Sequence, residues 1–175
     1  MRLFAAINFS HEIKSSMARD ISELKAASEK GSFTRAENLH LTLAFLGEVP
    51  EHRLRAAVNA MNGICAPSFE LTVEGFGGFA GEDGSTYWRG LRKSDELTSL
   101  RRSLYRGFVF EGFSPDPKPF KPHITLARRC ILARPSCGIT FEPVSMTVSA
   151  VSLMRSDRPS GRLTYTELFR KELKK

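Results

Sequence analysis

The chain has 175 residues, 41% of them hydrophobic and 26% charged, a balance that suits one compact globular unit with a substantial core. No stretch approaches the roughly 18 apolar residues of a membrane span, and residues 1–9 form too short an apolar run for a signal peptide, so a cytoplasmic protein is expected. A net charge of +7 favours polyanionic partners such as nucleic acid, and three cysteines without a close pairing pattern argue against a disulfide framework. Cys130 and Cys137 are seven apart, too far for a usual zinc knuckle, so no metal site is expected.

Residues 2–9 read as a first strand, and Ser10 caps a helix running to about residue 28, with Ile13, Met17, Ile21 and Leu24 on one face. Gly31 and Ser32 are expected to break the pattern. Residues 38–46 alternate as a strand, with Leu39, Leu41, Leu43 and Phe45 set against His40, Thr42, Ala44 and Leu46. A helix follows over 51–62, with Leu54, Val58 and Met61 in register, and Gly63 ends it. Residues 69–74 and 86–91 read as two strands joined by a glycine-rich loop from 75 to 84. Ser94 and Asp95 open a helix that turns Leu97, Leu100, Leu104 and Phe108 inward. A proline-rich approach over 113–122 leads to a second alternating strand, and further strands are expected near 138–142, 145–154 and 163–169. Neither a GxGxxG turn nor a Walker loop is present, and short turns between strand pairs point to antiparallel sheets.

One internal repeat carries chemical meaning. The tetrad His-Leu-Thr-Leu at 40–43 returns as His-Ile-Thr-Leu at 123–126, and two of the chain's four histidines open these tetrads. In a strand, residues i and i+2 share a face, so His40 projects with Thr42 and His123 with Thr125, while Leu41, Leu43, Ile124 and Leu126 point into a core. A lone histidine on a strand face is more often a packing residue than a catalyst. Two copies in the same context, each expected near mid-strand and separated by 83 residues, suggest two similar lobes facing one cleft. One imidazole can take a proton from water while the other protonates a departing oxygen, since a pKa of about 6.5 lets both forms coexist near neutrality. Thr42 and Thr125 would then hold the non-bridging oxygens of a phosphate.

The paired tetrads resemble those of the two-histidine (2H) phosphoesterase superfamily, the LigT-like proteins. The stretches 2–7, 38–47 and 120–128, with Gly-Arg-Leu-Thr-Tyr-Thr-Glu-Leu at 161–168, are similar to its RNA 2',3'-cyclic phosphodiesterase branch, formerly called 2'-5' RNA ligase. The strand that often reads Arg-Val-Leu-Trp in that family is here Ser-Thr-Tyr-Trp at 85–88, which puts a substrate contact from it in doubt. The resemblance implies an α+β fold of two lobes within one domain, with two antiparallel sheets and outer helices about a pseudo-twofold axis and a central cleft. It further implies hydrolysis of RNA 2',3'-cyclic phosphate ends to a 2'-phosphate without metal or cofactor. By the same resemblance His40 is the proton donor to the leaving 3' oxygen and His123 the proton acceptor.

Other candidates follow from the residue types. Arg128 could reach the phosphate, but strict alternation puts it opposite His123. Phe4, Trp88 and Tyr165 are candidates for stacking a base, with core burial favoured for Phe4. Lys121, Arg101, Arg102 and Arg106 could track an RNA backbone, while His11 and His52 lie outside the tetrads. The expected partners are RNA ends or small cyclic-phosphate nucleotides, with no membrane and a monomeric chain. The alternatives are 2'-5' ligation by the same site, a nucleotide-binding module without turnover, and a metallophosphoesterase, which too few clustered Asp and His residues support.

Overall fold

The computed structural model describes residues 1–134 and 138–174. In chain order the elements are β1 (Arg2–Asn8), α1 (His11–Ala26), β2 (Ser28–Phe33), β3 (His40–Glu48), α2 (Leu54–Asn62), β4 (Phe69–Phe79), β5 (Ser85–Leu91), α3 (Asp95–Phe110), β6 (Ile124–Leu132), β7 (Val144–Val148), β8 (Ala150–Asp157) and β9 (Thr164–Glu172). They build two antiparallel sheets, one ordered β3-β1-β8-β9 and the other β2-β6-β5-β4-β7. Each tetrad strand falls in a different sheet, as the repeat implies.

Capping and burial explain the helices. Ser10 Oγ accepts from the Ile13 N–H at 3.4 Å, and Ser94 Oγ accepts from the Leu97 N–H at 3.0 Å, which satisfies donors that the first turn leaves free. Asp95 and Glu96 sit in the first turn of α3, where the helix dipole favours negative charge. The inward faces are those the periodicity selects: Ile13, Met17, Ile21 and Leu24 on α1, and Leu97, Leu100, Leu104 and Phe108 on α3. They join Leu3, Ile7, Leu41, Leu43, Ile124 and Leu126 in one core. A second, smaller cluster of Phe4, Ala6 and Met154, with Tyr165 packed on it, covers the opposite face of the first sheet. That face carries the site.

Five sequence expectations need correction. Residues 28–33 form strand β2 against β6 rather than a break, because Gly31 is a close-packing position: a Cβ there would lie 3.1 Å from the Cys130 Cβ. Strand β4 runs on to Phe79, so Gly75, Gly77 and Gly78 belong to the sheet and not to a loop. The Trp88 ring lies across the backbone at Gly77, where a Cβ would come within 2.5 Å of it. The helix expected from 51 begins with a 3₁₀ turn, Glu51–Arg53, before α2. Residues 138–142 are not a strand, and 145–154 is split at Ser149 between β7 and β8. Cys137 lies outside the described residues.

A buried ion pair ties α1 to the second sheet. Arg89 on β5 is fully buried and meets Asp20 of α1, itself only 7% exposed. Its remaining donors reach the carbonyls of Gly75 at 3.0 Å and Glu142 at 2.9 Å, with its guanidinium 5.2 Å from the Phe141 ring centroid. Removing Arg89 would strand a buried carboxylate and these carbonyls together. Arg89→Met is therefore expected to lower the unfolding free energy by about 3–5 kcal/mol in urea titration, and a loss below about 1 kcal/mol would show the pair to be dispensable.

Candidate active site

Both tetrad histidines are held the same way. His40 opens β3 and His123 immediately precedes β6, so they stand at strand starts rather than mid-strand. His40 Nδ1 lies 2.7 Å from the Asn38 carbonyl, and His123 Nδ1 lies 2.7 Å from the Lys121 carbonyl. A carbonyl can only accept, so each Nδ1 carries hydrogen and each neutral ring keeps its lone pair on Nε2. His40 Nε2 accepts from the Thr42 hydroxyl at 3.0 Å, which places that side chain on the same face as the imidazole.

The His40 ring is walled by Phe4 at 5.0 Å and by Tyr165, edge-on, at 4.9 Å between centroids. Burial among these rings pushes its pKa below the ordinary 6.5. The bond to Asn38 works against that shift, and the positive charges of Arg128, Lys14 and His123 add to it. That shift favours the neutral form of the His40 ring near pH 7. Arg128 and His123 therefore lie close enough to His40 for their charges to oppose its protonation. His123 stands edge-on to Phe79 at 5.2 Å and lies 6.2 Å from Trp88.

Matching irregularities follow both tetrads. Thr42 pairs with Ala6 and Ala44 with Ala5, leaving Leu43 as an extra residue; Thr125 pairs with Trp88 and Ala127 with Tyr87, leaving Leu126 as one. Each bulge shifts the alternation by one, so that Leu43 and Ala44 are both buried, as are Leu126 and Ala127. Arg128 consequently joins the face of Thr125, with Nη2 3.4 Å from its hydroxyl oxygen, and not the opposite face that strict alternation predicts. Phe45, expected inward with the leucines, pairs with Phe4 on the His40 face, its ring 5.7 Å from that of Phe4 and 42% exposed. Paired bulges of this kind leave no mark in the hydrophobic pattern.

The other candidates divide. Phe4 is buried and serves as a wall behind His40. Trp88 is half-buried beside His123, its indole N–H enclosed without a partner among the described residues. Tyr165 lies against Phe4 and His40, and burial raises its phenol pKa further above 10. Arg101 packs over Tyr105 and Phe120, whereas Arg102 and Arg106 are exposed on α3. His11 and His52 are exposed and outside the site. Sequence reasoning missed Asn38, whose buried side chain donates to the Leu163 carbonyl at 3.1 Å while its own carbonyl holds His40. Among the described residues no group of three or more His, Cys, Asp or Glu side chains is placed to hold a metal ion.

The sequence pattern of the 2'-5' RNA ligase superfamily matches residues 13–160. The chain belongs to the 2'-5' RNA ligase superfamily. Within it, the Methanothermobacter thermautotrophicus RNA 2',3'-cyclic phosphodiesterase is 33% identical over 178 residues, covering 96% of each chain. The Geobacillus stearothermophilus protein of the same name is 33% identical over 129 residues, which is 72% of this chain but 41% of that one. Apo LigT from Escherichia coli superposes with a TM-score of 0.83 at 32% identity, covering 99% of this chain and 98% of that one. The same LigT complexed with 3'-AMP also scores 0.83, at 31% identity and the same coverage. The two-sheet arrangement is therefore that of the superfamily.

The electrostatics of His40 can be read directly. In the free protein its ring resonances are expected to titrate below pH 6.5 by NMR, and Arg128→Ala should move the midpoint upward by removing a charge that opposes protonation. A midpoint at or above 6.5 in the unsubstituted protein would contradict the desolvated environment.

Proposed function

We propose that this chain hydrolyses RNA ends bearing a 2',3'-cyclic phosphate to a 2'-phosphate, without a metal, using His40 and His123 as acid and base. The observation that carries the reading is the shared anchorage of two imidazoles through Nδ1, which turns Nε2 to the chemistry (in His40 it meets the Thr42 hydroxyl), with the charge of Arg128 beside them. The relatives named RNA 2',3'-cyclic phosphodiesterase support the substrate, and the LigT complex with 3'-AMP supports a nucleotide in the cleft.

His123 Nε2 takes a proton from water, whose oxygen attacks phosphorus. The bond from phosphorus to the 3' oxygen breaks, and His40 delivers its proton to that oxygen, leaving the phosphate on the 2' position. Thr42, Thr125 and Arg128 stabilise the charge on the non-bridging oxygens. His40 must be protonated to act as the donor, although burial disfavours this in the empty cleft. The arriving phosphodiester supplies the negative charge that offsets Arg128 and restores the proton affinity of the ring.

With EDTA present, a short RNA ending in 2',3'-cyclic phosphate is expected to yield the 2'-phosphate. His40→Ala and His123→Ala should each lower the rate by about 10²–10⁴-fold, and the wild-type rate should follow a bell-shaped pH profile. A single-limbed profile, or activity that survives either substitution, would refute the pair. Joining to a 5'-hydroxyl end would show 2'-5' ligation instead. Tight nucleotide binding with no product would show a binding module.

A groove is lined by Arg92, Lys93, Arg101, Arg102, Phe120 and Pro122 beside the first turns of α3, and Pro122 immediately precedes His123 in the chain. We assign it to the body of the RNA, whose phosphates would follow the exposed cations. The double substitution Lys93→Ala, Arg102→Ala is expected to lower the preference for an oligonucleotide over a cyclic mononucleotide. It should also reduce the salt slope of oligonucleotide binding by about 0.7 per lost phosphate contact. An unchanged preference and slope would place the RNA elsewhere.

A further inference from the structure

A carboxylate stands on the face of the first sheet where a polyanion is to bind. Asn8 pairs directly with His40 across β1 and β3, and residues directly opposite share a face. Its amide nitrogen reaches Ser152 Oγ at 3.1 Å and Glu167 Oε2 at 3.2 Å, and Ser152, only 1% exposed, donates to the same Oε2 at 2.5 Å. Glu167 pairs with Met154 of the small cluster behind His40, and it lies two residues beyond Tyr165 on β9. Its Oε1 accepts no hydrogen bond among the described residues, and the residue is exposed.

This arrangement sits against the charge of its surroundings. Arg128 and Lys14 bear on His40, and Arg128, Arg2 and Arg158 bear on Tyr165, all of them positive. Facing the phosphate, Glu167 would cancel the attraction those cations provide. Facing a neutral part of the nucleotide, it would cost nothing of the kind and would accept a strong, charge-assisted hydrogen bond. The neutral donors on a 2',3'-cyclic nucleotide are its base edge and its 5'-hydroxyl.

We infer that Glu167 reads the base and selects guanine, an inference that rests on the nucleotide reading of the cleft. Guanine offers N1–H and N2–H side by side. Adenine and cytosine place a ring-nitrogen acceptor beside their amine, and uracil flanks its one N–H with two carbonyls. The two adjacent acceptors are the carboxylate's own oxygens: Oε1, free among the described residues, for N1–H, and Oε2, fixed in place by Asn8 and Ser152, for N2–H. Two adjacent acceptors match two adjacent donors and repel the other three edges. The exposed ring of Phe45 and the Tyr165 side chain supply aromatic surface for the base on the same face.

The test is calorimetric binding of 3'-GMP, 3'-AMP, 3'-CMP and 3'-UMP to the whole protein and to Glu167→Gln. The wild type should bind 3'-GMP most tightly, and the substitution should reduce the ratio of Kd for 3'-UMP to Kd for 3'-GMP by about tenfold, since glutamine keeps the shape but loses the charge. Ser152→Ala, which frees the carboxylate to swing, should reduce the same ratio by a smaller factor. An unchanged ratio, or equal weakening of all four nucleotides, would overturn the assignment. Turnover of 2',3'-cyclic GMP and UMP is measured alongside. Selective binding without turnover would sink the hydrolase and leave the base reading standing; turnover with an unchanged ratio would do the reverse.

Discussion

Everything in the site depends on one 2.7 Å hydrogen bond made twice, from an imidazole Nδ1 to the carbonyl two residues upstream. That acceptor has to be free, and a carbonyl inside a strand is committed to its ladder. The histidines therefore stand where their strands begin, with the acceptor residue just outside. On the first sheet the acceptor is itself held: Asn38 and Arg35 both donate to the Leu163 carbonyl, and Arg162 reaches Glu37 at 3.2 Å. On the second sheet the approach through 113–122 is rich in proline, whose fixed φ limits the conformations open to the Lys121 carbonyl.

The first sheet has two different faces. One carries Leu3, Ile7, Leu41 and Leu43 into the main core; the other carries Phe4, Ala6 and Met154 behind His40. The second face half-buries an imidazole and a phenol while leaving Phe45 and Glu167 exposed. That burial sets the proton affinity of His40, and the cations opposite push in the same direction. In the proposed mechanism ligand charge is the counterweight, so His40 gains the proton it donates when the phosphodiester binds.

The tetrads, the two capped helices and the placement of one tetrad in each sheet were legible because each rests on local rules. Ser10 and Ser94 announce helix starts, and the leucines flanking His40 and Thr42 announce a face. What stayed hidden depends on partners distant in the chain. Gly31 reads as a breaker until Cys130 is seen against it, and Gly77 as a turn until Trp88 is seen across it. Arg128 and Phe45 were assigned to the wrong face because a bulge is a property of two strands in register, visible in neither alone. The clamp by Leu163 joins residues 125 apart, and no motif spans that distance.

The strand order also governs when such a site can come into being. All strands of the second sheet lie between residues 28 and 148, whereas the first sheet needs β1 from the start of the chain and β9 from its end. During synthesis the His123 half can gather its strands while the ribosome is still adding residues. The His40 half waits for the stretch that brings Leu163, Tyr165 and Glu167. A chain interrupted before β9 thus presents the His123 anchor without the Leu163 clamp behind His40, and the proposed pairing of the two histidines waits for that strand.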